Sequence, residues 1–173
     1  MDFLTLARNR YSERMFSDRP IEEEVLGKIL EAGRIAPTAC NYQPQRVYVI
    51  RSEEGLSKAA KLTLTYKAPT VLLVCYDRTE AWINKRDTFF ENYCVGEQDA
   101  AIVAASMMYE AEDLGVHILW MRGFDAGAVA EAYDLPENVC PVMMLALGYP
   151  SESSKPGPLH AKRKELCETV KEI

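Results

Sequence analysis

Residues 94–114 constrain this chain most: a helical stretch that ends at Gly115 and whose middle, 100–108, is apolar or small nearly all the way round. An ordinary surface helix keeps one wet face, so a helix of this kind must be covered on most sides. The apolar run is far too short to cross a bilayer, and Glu112 and Asp113 follow it closely. The cover must therefore be protein. A chain of 173 residues, 48% of them hydrophobic, can supply it as a single domain spanning 1–173.

The surrounding elements read as that cover. Residues 2–9 have Phe3, Leu4, Leu6 and Ala7 at helical spacing behind an acidic start. Residues 22–34 place Val25, Leu26, Ile29, Leu30 and Gly33 on one face, with Glu22, Glu23 and Glu24 in the first turn where the helix dipole favours them. Val47 to Ile50, 71–75, 116–121 and 142–147 are short β-branched or apolar runs that read as buried strands. Residues 53–64 are weakly helical, and Asp125 caps a short helix through Tyr133. Residues 77–90, with Trp82, Phe89 and Phe90 among charges, read as a loop or irregular helix that could form a flap. Residues 151–158 form a Ser/Pro/Gly connector, and 162–171 regain a helical look, so a tail over 151–173 extends from the core. This mixture predicts a sheet packed by helices, α+β or α/β, around the long central helix.

Several function classes lose support. The net charge of −6 lacks the basic footprint that nucleic acid requires, so any bound phosphate must meet a local basic cluster. Five scattered cysteines without CxxC spacing fit reduced thiols rather than a disulfide frame or a zinc site. No export signal or membrane span is evident, so a cytoplasmic location is expected. There is no GxGxxG or GxxxxGK[ST], no Ser/His/Asp order and no carboxylate pair. His117 reads as a hydrogen-bonded core residue, and His160 lies in the polar connector.

Three constellations remain. If the chain is extended after its first helix, Arg10, Ser12 and Arg14 point to one side, where two guanidinium forks and a hydroxyl suit a phosphate. The alternative is a solvated surface paired with Glu13 or Asp18. The stretch 36–44, Ala-Pro-Thr-Ala-Cys-Asn-Tyr-Gln-Pro, is a rigid polar turn whose carboxamides suit the mixed edge of a heteroaromatic ring, or an ordinary connector whose Asn and Gln cap free backbone groups. Residues 120–125, Trp-Met-Arg-Gly-Phe-Asp, end a strand in a glycine that allows close backbone approach, or form a plain strand-to-helix turn.

At these residues the chain resembles the nitroreductase family of FMN-dependent oxidoreductases. Residues 10–16, Arg-Tyr-Ser-Glu-Arg-Met-Phe, are similar to its R-x-S-x-R/K-x-F opening, and 36–44 to its A-P-S-x-x-N-x-Q-P segment. Asp99-Ala100-Ala101-Ile102, Leu114-Gly115, Arg122-Gly123-Phe124-Asp125, Leu135-Pro136, Leu147-Gly148-Tyr149-Pro150 and the basic Lys162-Arg163-Lys164 follow in the family's order.

The resemblance implies an α+β fold with a central mixed sheet flanked by helices, the long buried helix at the interface of a homodimer, and an FMN site built from both chains. It implies that Arg10 and Ser12 hold the FMN phosphate with Arg163 or Lys162. Arg14 would lie near the N1/O2 edge of the ring. Pro37, Thr38, Ala39, Asn41 and Gln43 would approach from the partner subunit, and the Gly123 backbone would face N5. Tyr11, Met121 and Arg122 complete the implied cofactor-binding set. Hydride would pass from NADH or NADPH through FMN to a small acceptor such as a nitroaromatic, quinone or flavin, with no catalytic side chain required. Trp82, Phe89, Phe90 and Tyr93 are candidate walls of the open face. Arg122 and Gln45 stand where many members carry other residues, so the resemblance carries the cofactor and not the acceptor. A flavin-binding or storage protein of the same fold, with little turnover, is the alternative.

Overall fold

The computed structural model describes residues 2–173. Helix α1, Phe3–Asn9, is capped by Asp2, whose carboxylate accepts from the Thr5 amide at 3.1 Å. Helix α2, Glu23–Arg34, turns Leu26, Ile29 and Gly33 inward. Its cap residue Glu22 accepts from the Tyr149 hydroxyl at 2.5 Å and from Arg19 at 2.6 Å, bonds that hold its carboxyl down at about 2.

Strand β1, Gln45–Ile50, leads through α3, Glu53–Leu62, to β2, Thr70–Asp77. A small hairpin of β3, Ile83–Asn84, and β4, Tyr93–Cys94, precedes the central helix α4, Gly96–Asp113. Then come β5, His117–Met121; α5, Ala126–Ala132, capped by Asp125; β6, Val139–Gly148; and a single-turn α6, Leu166–Thr169. The tail is helical over that one turn, well short of the span predicted for 162–171, because it buries no apolar face that could stabilise a longer helix.

The main sheet has the order β1-β2-β6-β5 and every ladder is antiparallel. The mixed sheet implied by the resemblance is thus corrected: parallel pairing among the described residues enters only as the isolated bridge of Ser12 to Ile118. Helices cover both faces. Leu72, Val74, Met143, Leu145 and Leu147 meet α2 and α4, while Val71, Leu73, Met144 and Ala146 meet the side that holds Ala59 of α3 and Val129 of α5. An antiparallel strand covered on both faces loses its polar alternation and reads like a parallel one, which is why sequence pattern does not separate the two.

Helix α4 lies against this sheet with Ala100, Val103, Ala104, Met107 and Ala111 buried. Gly33 lets α2 approach it: a Cβ there would stand 2.9 Å from the Met107 sulfur. Ile102, on the opposite side of α4, stays 42% exposed. No helix of the described residues is long and apolar enough to cross a membrane.

Candidate functional site

The segment leaving α1 is extended and runs parallel to β5, with the Glu13 amide donating to the Ile118 carbonyl at 3.3 Å. Alternate residues therefore face opposite ways. Tyr11 and Glu13 turn inward, at 9% and 1% exposure, while Arg10, Ser12 and Arg14 line a cavity of about 440 Å³. Its other wall is residues 157–160 and Arg163, so three guanidinium groups and a hydroxyl gather from opposite ends of the sequence. Tyr11 also borders this space, but its hydroxyl is engaged behind it. Lys162 is exposed and does not border it. His160, predicted as a residue of the polar connector, lies in the cavity wall with its ring 6.0 Å from that of Tyr11.

Behind the cationic wall is a polar cluster that sequence reasoning missed. Glu13 reads as a surface charge in the sequence, yet its Oε1 accepts from the Arg14 and Met15 amides at 2.8 and 2.7 Å. Its Oε2 accepts from the Tyr11 and Ser154 hydroxyls at 3.0 and 2.5 Å, and His117 Nδ1 stands 3.4 Å away. Burial pushes the Glu13 carboxyl up, but the donors outweigh it and leave it below the usual carboxylate range.

Glu112, near the end of α4, is the contrary case. One of its oxygens is buried without a hydrogen-bond partner, and burial raises its pKa although His117, Arg10 and His160 pull the other way. A carboxyl raised in the folded state stabilises the fold below its unfolded pKa and loses that contribution as pH rises through the folded value. Glu112→Gln is thus expected to raise the thermal midpoint at pH 8, with the gain vanishing in acid. Thermal unfolding of both proteins across that pH range checks it, and an unchanged or lower midpoint at pH 8 contradicts it.

The second constellation is a tight turn. Ala39–Asn41 form one 3₁₀ turn in which Cys40 and Asn41 have φ of 50° and 57°, and Gln43 follows at 53°. The Ala39 amide donates to Oδ1 of buried Asp99 at 2.9 Å, and the Gln43 amide donates to the Thr38 hydroxyl at 3.0 Å. Pro37, Asn41 and Gln43 are exposed, Thr38 and Ala39 half-buried, and none of the five borders the Arg10 cavity of their own chain.

In the third, the Met121 side chain packs in the core, which leaves its backbone as the part that can meet a ligand. Arg122 is exposed, donates to the Phe124 carbonyl at 3.3 Å and lies 5.0 Å from that residue's ring. A Cβ at Gly123 would meet nothing within 4 Å, so its backbone borders open space. The loop after α3 brings the Tyr66 ring 6.0 Å from the Arg14 guanidinium. The segment read as a loop or irregular helix instead carries the β3–β4 hairpin, where the rings of Phe89 and Phe90 meet at 4.7 Å and those of Phe90 and Tyr93 at 5.2 Å. Phe89 is 86% exposed. Asp87 Oδ1 fixes the tip by accepting from both Phe amides.

Comparison with known proteins gives a consistent answer. The model of the nitroreductase family matches residues 7–65 and 56–149. A Methanothermobacter thermautotrophicus protein named for NADH dehydrogenase or NAD(P)H nitroreductase activity is 28% identical over 161 residues, covering 88% of this chain and 80% of its own. A Staphylococcus aureus NADPH-dependent oxidoreductase is 30% identical over 161 residues, 85% of this chain and 64% of that protein. Among solved structures, a nitroreductase family protein of Clostridium difficile superposes with a TM-score of 0.91 at 37% identity, over 99% of this chain and 98% of the other. A Desulfovibrio desulfuricans protein in complex with FMN gives 0.81 at 26% identity, over 98% and 95%.

Proposed function

The chain belongs to the nitroreductase family, and from that premise we propose that it is an FMN-dependent oxidoreductase, passing hydride from NADH or NADPH to a small electron-poor acceptor such as a nitroaromatic, quinone or flavin. The observation that carries this reading is the convergence of Arg10, Ser12, Arg14 and Arg163 on one cavity in a chain of net charge −6. That donor set fits a phosphate monoester: guanidinium forks match its oxygens, and Glu13, the carboxylate of the same strand, is turned away and occupied by its own donors. When bound, FMN supplies the two-electron chemistry.

The residues of this chain bind and orient. Arg10, Ser12 and Arg163 would hold the phosphate, with Tyr11 bracing the segment of Arg10 and Ser12 from behind and exposed Lys162 adding to the local positive field. Arg14 would oppose the negative charge of the reduced cofactor. Gly123, with the backbone of Met121 and Arg122, would border the ring from the end of β5.

Thr38, Ala39, Asn41 and Gln43, after Pro37, would serve the cofactor of a second copy. What supports this is that the turn presents the Thr38 hydroxyl and the Asn41 and Gln43 carboxamides, has left-handed backbone at Cys40, Asn41 and Gln43, and lies away from the cavity of its own chain. Phe3 and Leu4 at 60% exposure, Ile35 at 66% and Ile102 at 42% supply apolar surface on which two copies would associate. We place this activity in the cytoplasm, in keeping with the five unpaired cysteines.

Anaerobic mixing of FMN-loaded protein with NADH or NADPH tests the proposal. Rapid loss of the flavin's visible absorbance, restored by an electron acceptor, is the expected result. Absorbance that persists identifies a storage protein, and a chain that takes up no FMN overturns the cofactor reading.

A further inference from the structure

The two walls of the anion cavity are joined by little. Main-chain bonds fasten the late segment as far as Ser151, through Ser17 to the Tyr149 carbonyl at 2.9 Å and Ser151 to the Met15 carbonyl at 2.8 Å. Past that point, among the described residues, the Ser154 amide donates back to the Ser151 carbonyl at 3.0 Å, and the main-chain bonds from the amides of 155–163 stay within that stretch. The side chain of Ser154 crosses the gap. Its hydroxyl donates to Glu13 Oε2 at 2.5 Å and lies 2.8 Å from the Tyr11 hydroxyl.

We infer that Glu13, acting through Ser154, is the positioning residue that sets the spacing between the two walls of this cavity and so its affinity for a phosphate monoester. The inference rests on the phosphate reading given above. Glu13 serves both walls at once. Oε1 fixes the strand that carries Arg14 by accepting from two consecutive amides, and Oε2 draws in the connector that leads to Gly157, His160 and Arg163. Two hydroxyls, one proton each, can both donate to Oε2 only while that atom is a pure acceptor. An amide nitrogen in its place would donate, so Glu13→Gln keeps the shape and the Oε1 bonds while reversing the polarity of the link to Ser154. A buried carboxylate at 1% exposure on a surface-facing segment is otherwise a costly choice, since an apolar residue would fill the space without needing donors.

The test is the affinity of the full chain for FMN and for riboflavin, which lacks the phosphate, read by flavin fluorescence in wild type, E13Q, S154A and S154T. Losing the bond to a charged acceptor in S154A, and exchanging it in E13Q for a neutral bond of opposite direction, predicts FMN binding weakened about tenfold in S154A and by a smaller factor in E13Q. Riboflavin affinity should be unchanged, S154T should bind like wild type, and the E13Q/S154A pair should be no weaker than S154A alone. Deuterium uptake by 154–163 in the flavin-free protein should rise in E13Q and S154A. Wild-type FMN affinity in both single variants overturns the inference and leaves the phosphate reading standing. A wild-type chain that binds FMN no better than riboflavin overturns the phosphate reading; the tie is then judged by deuterium uptake alone, and unchanged uptake overturns it too.

Discussion

Arg10→Ala is expected to weaken FMN binding about a hundredfold and to leave riboflavin binding as it was. Hydrogen bonds to charged groups contribute about 1.5–3 kcal/mol each, and a guanidinium fork can make two to one phosphate. A loss of about 2.8 kcal/mol corresponds to two decades in affinity. The substitution spares the backbone, because Arg10 closes α1 through its amide, which donates to the Leu6 carbonyl at 3.1 Å. Lys162, exposed and outside the cavity wall, is the internal control: its removal should change affinity far less than that of Arg10. Titration by flavin fluorescence at two salt concentrations reads both effects. An Arg10→Ala protein with full FMN affinity would falsify the assignment of the phosphate to this cavity.

The second large effect lies in the sheet. Leu145 is fully buried on β6, between β2 and β5, opposite Leu72 and Trp120 in register, and it belongs to the core beneath α2 and α4. Leu145→Ala removes buried carbons and leaves a void that neighbours on a central strand can fill only in part. The expected cost is about 2–5 kcal/mol. At roughly 2–4 °C per kcal/mol for a chain of this length, the thermal midpoint should fall by about 10 °C. Calorimetry of the two proteins decides; a shift of a degree or two would mean that this core repacks freely.

How much of this was legible in the sequence depended on whether a feature is local. Helix α4 was readable because small and apolar residues on every side leave no wet face, and α2 because its apolar stripe and first-turn acids agree. The alternation of Arg10, Ser12 and Arg14 was readable once an extended segment was assumed. Strand β6 was placed too short. It begins at Val139, three residues before the predicted start, and it takes in Pro141 at a bulge, where Val142 is the extra residue between the Val74–Met143 and Cys75–Pro141 pairs. The β3–β4 hairpin, two residues a strand, is too brief for any period to show. Glu13 was invisible because its partner Ser154 lies 141 positions away. Only the folded chain shows that an acidic residue between two arginines points inward.

The cavity's second wall, 157–163, follows β6 in the chain, and β6 itself occupies the interior of the sheet. The sheet is therefore complete without 157–163, whereas the cavity exists only where that late segment lies against the residues that follow α1.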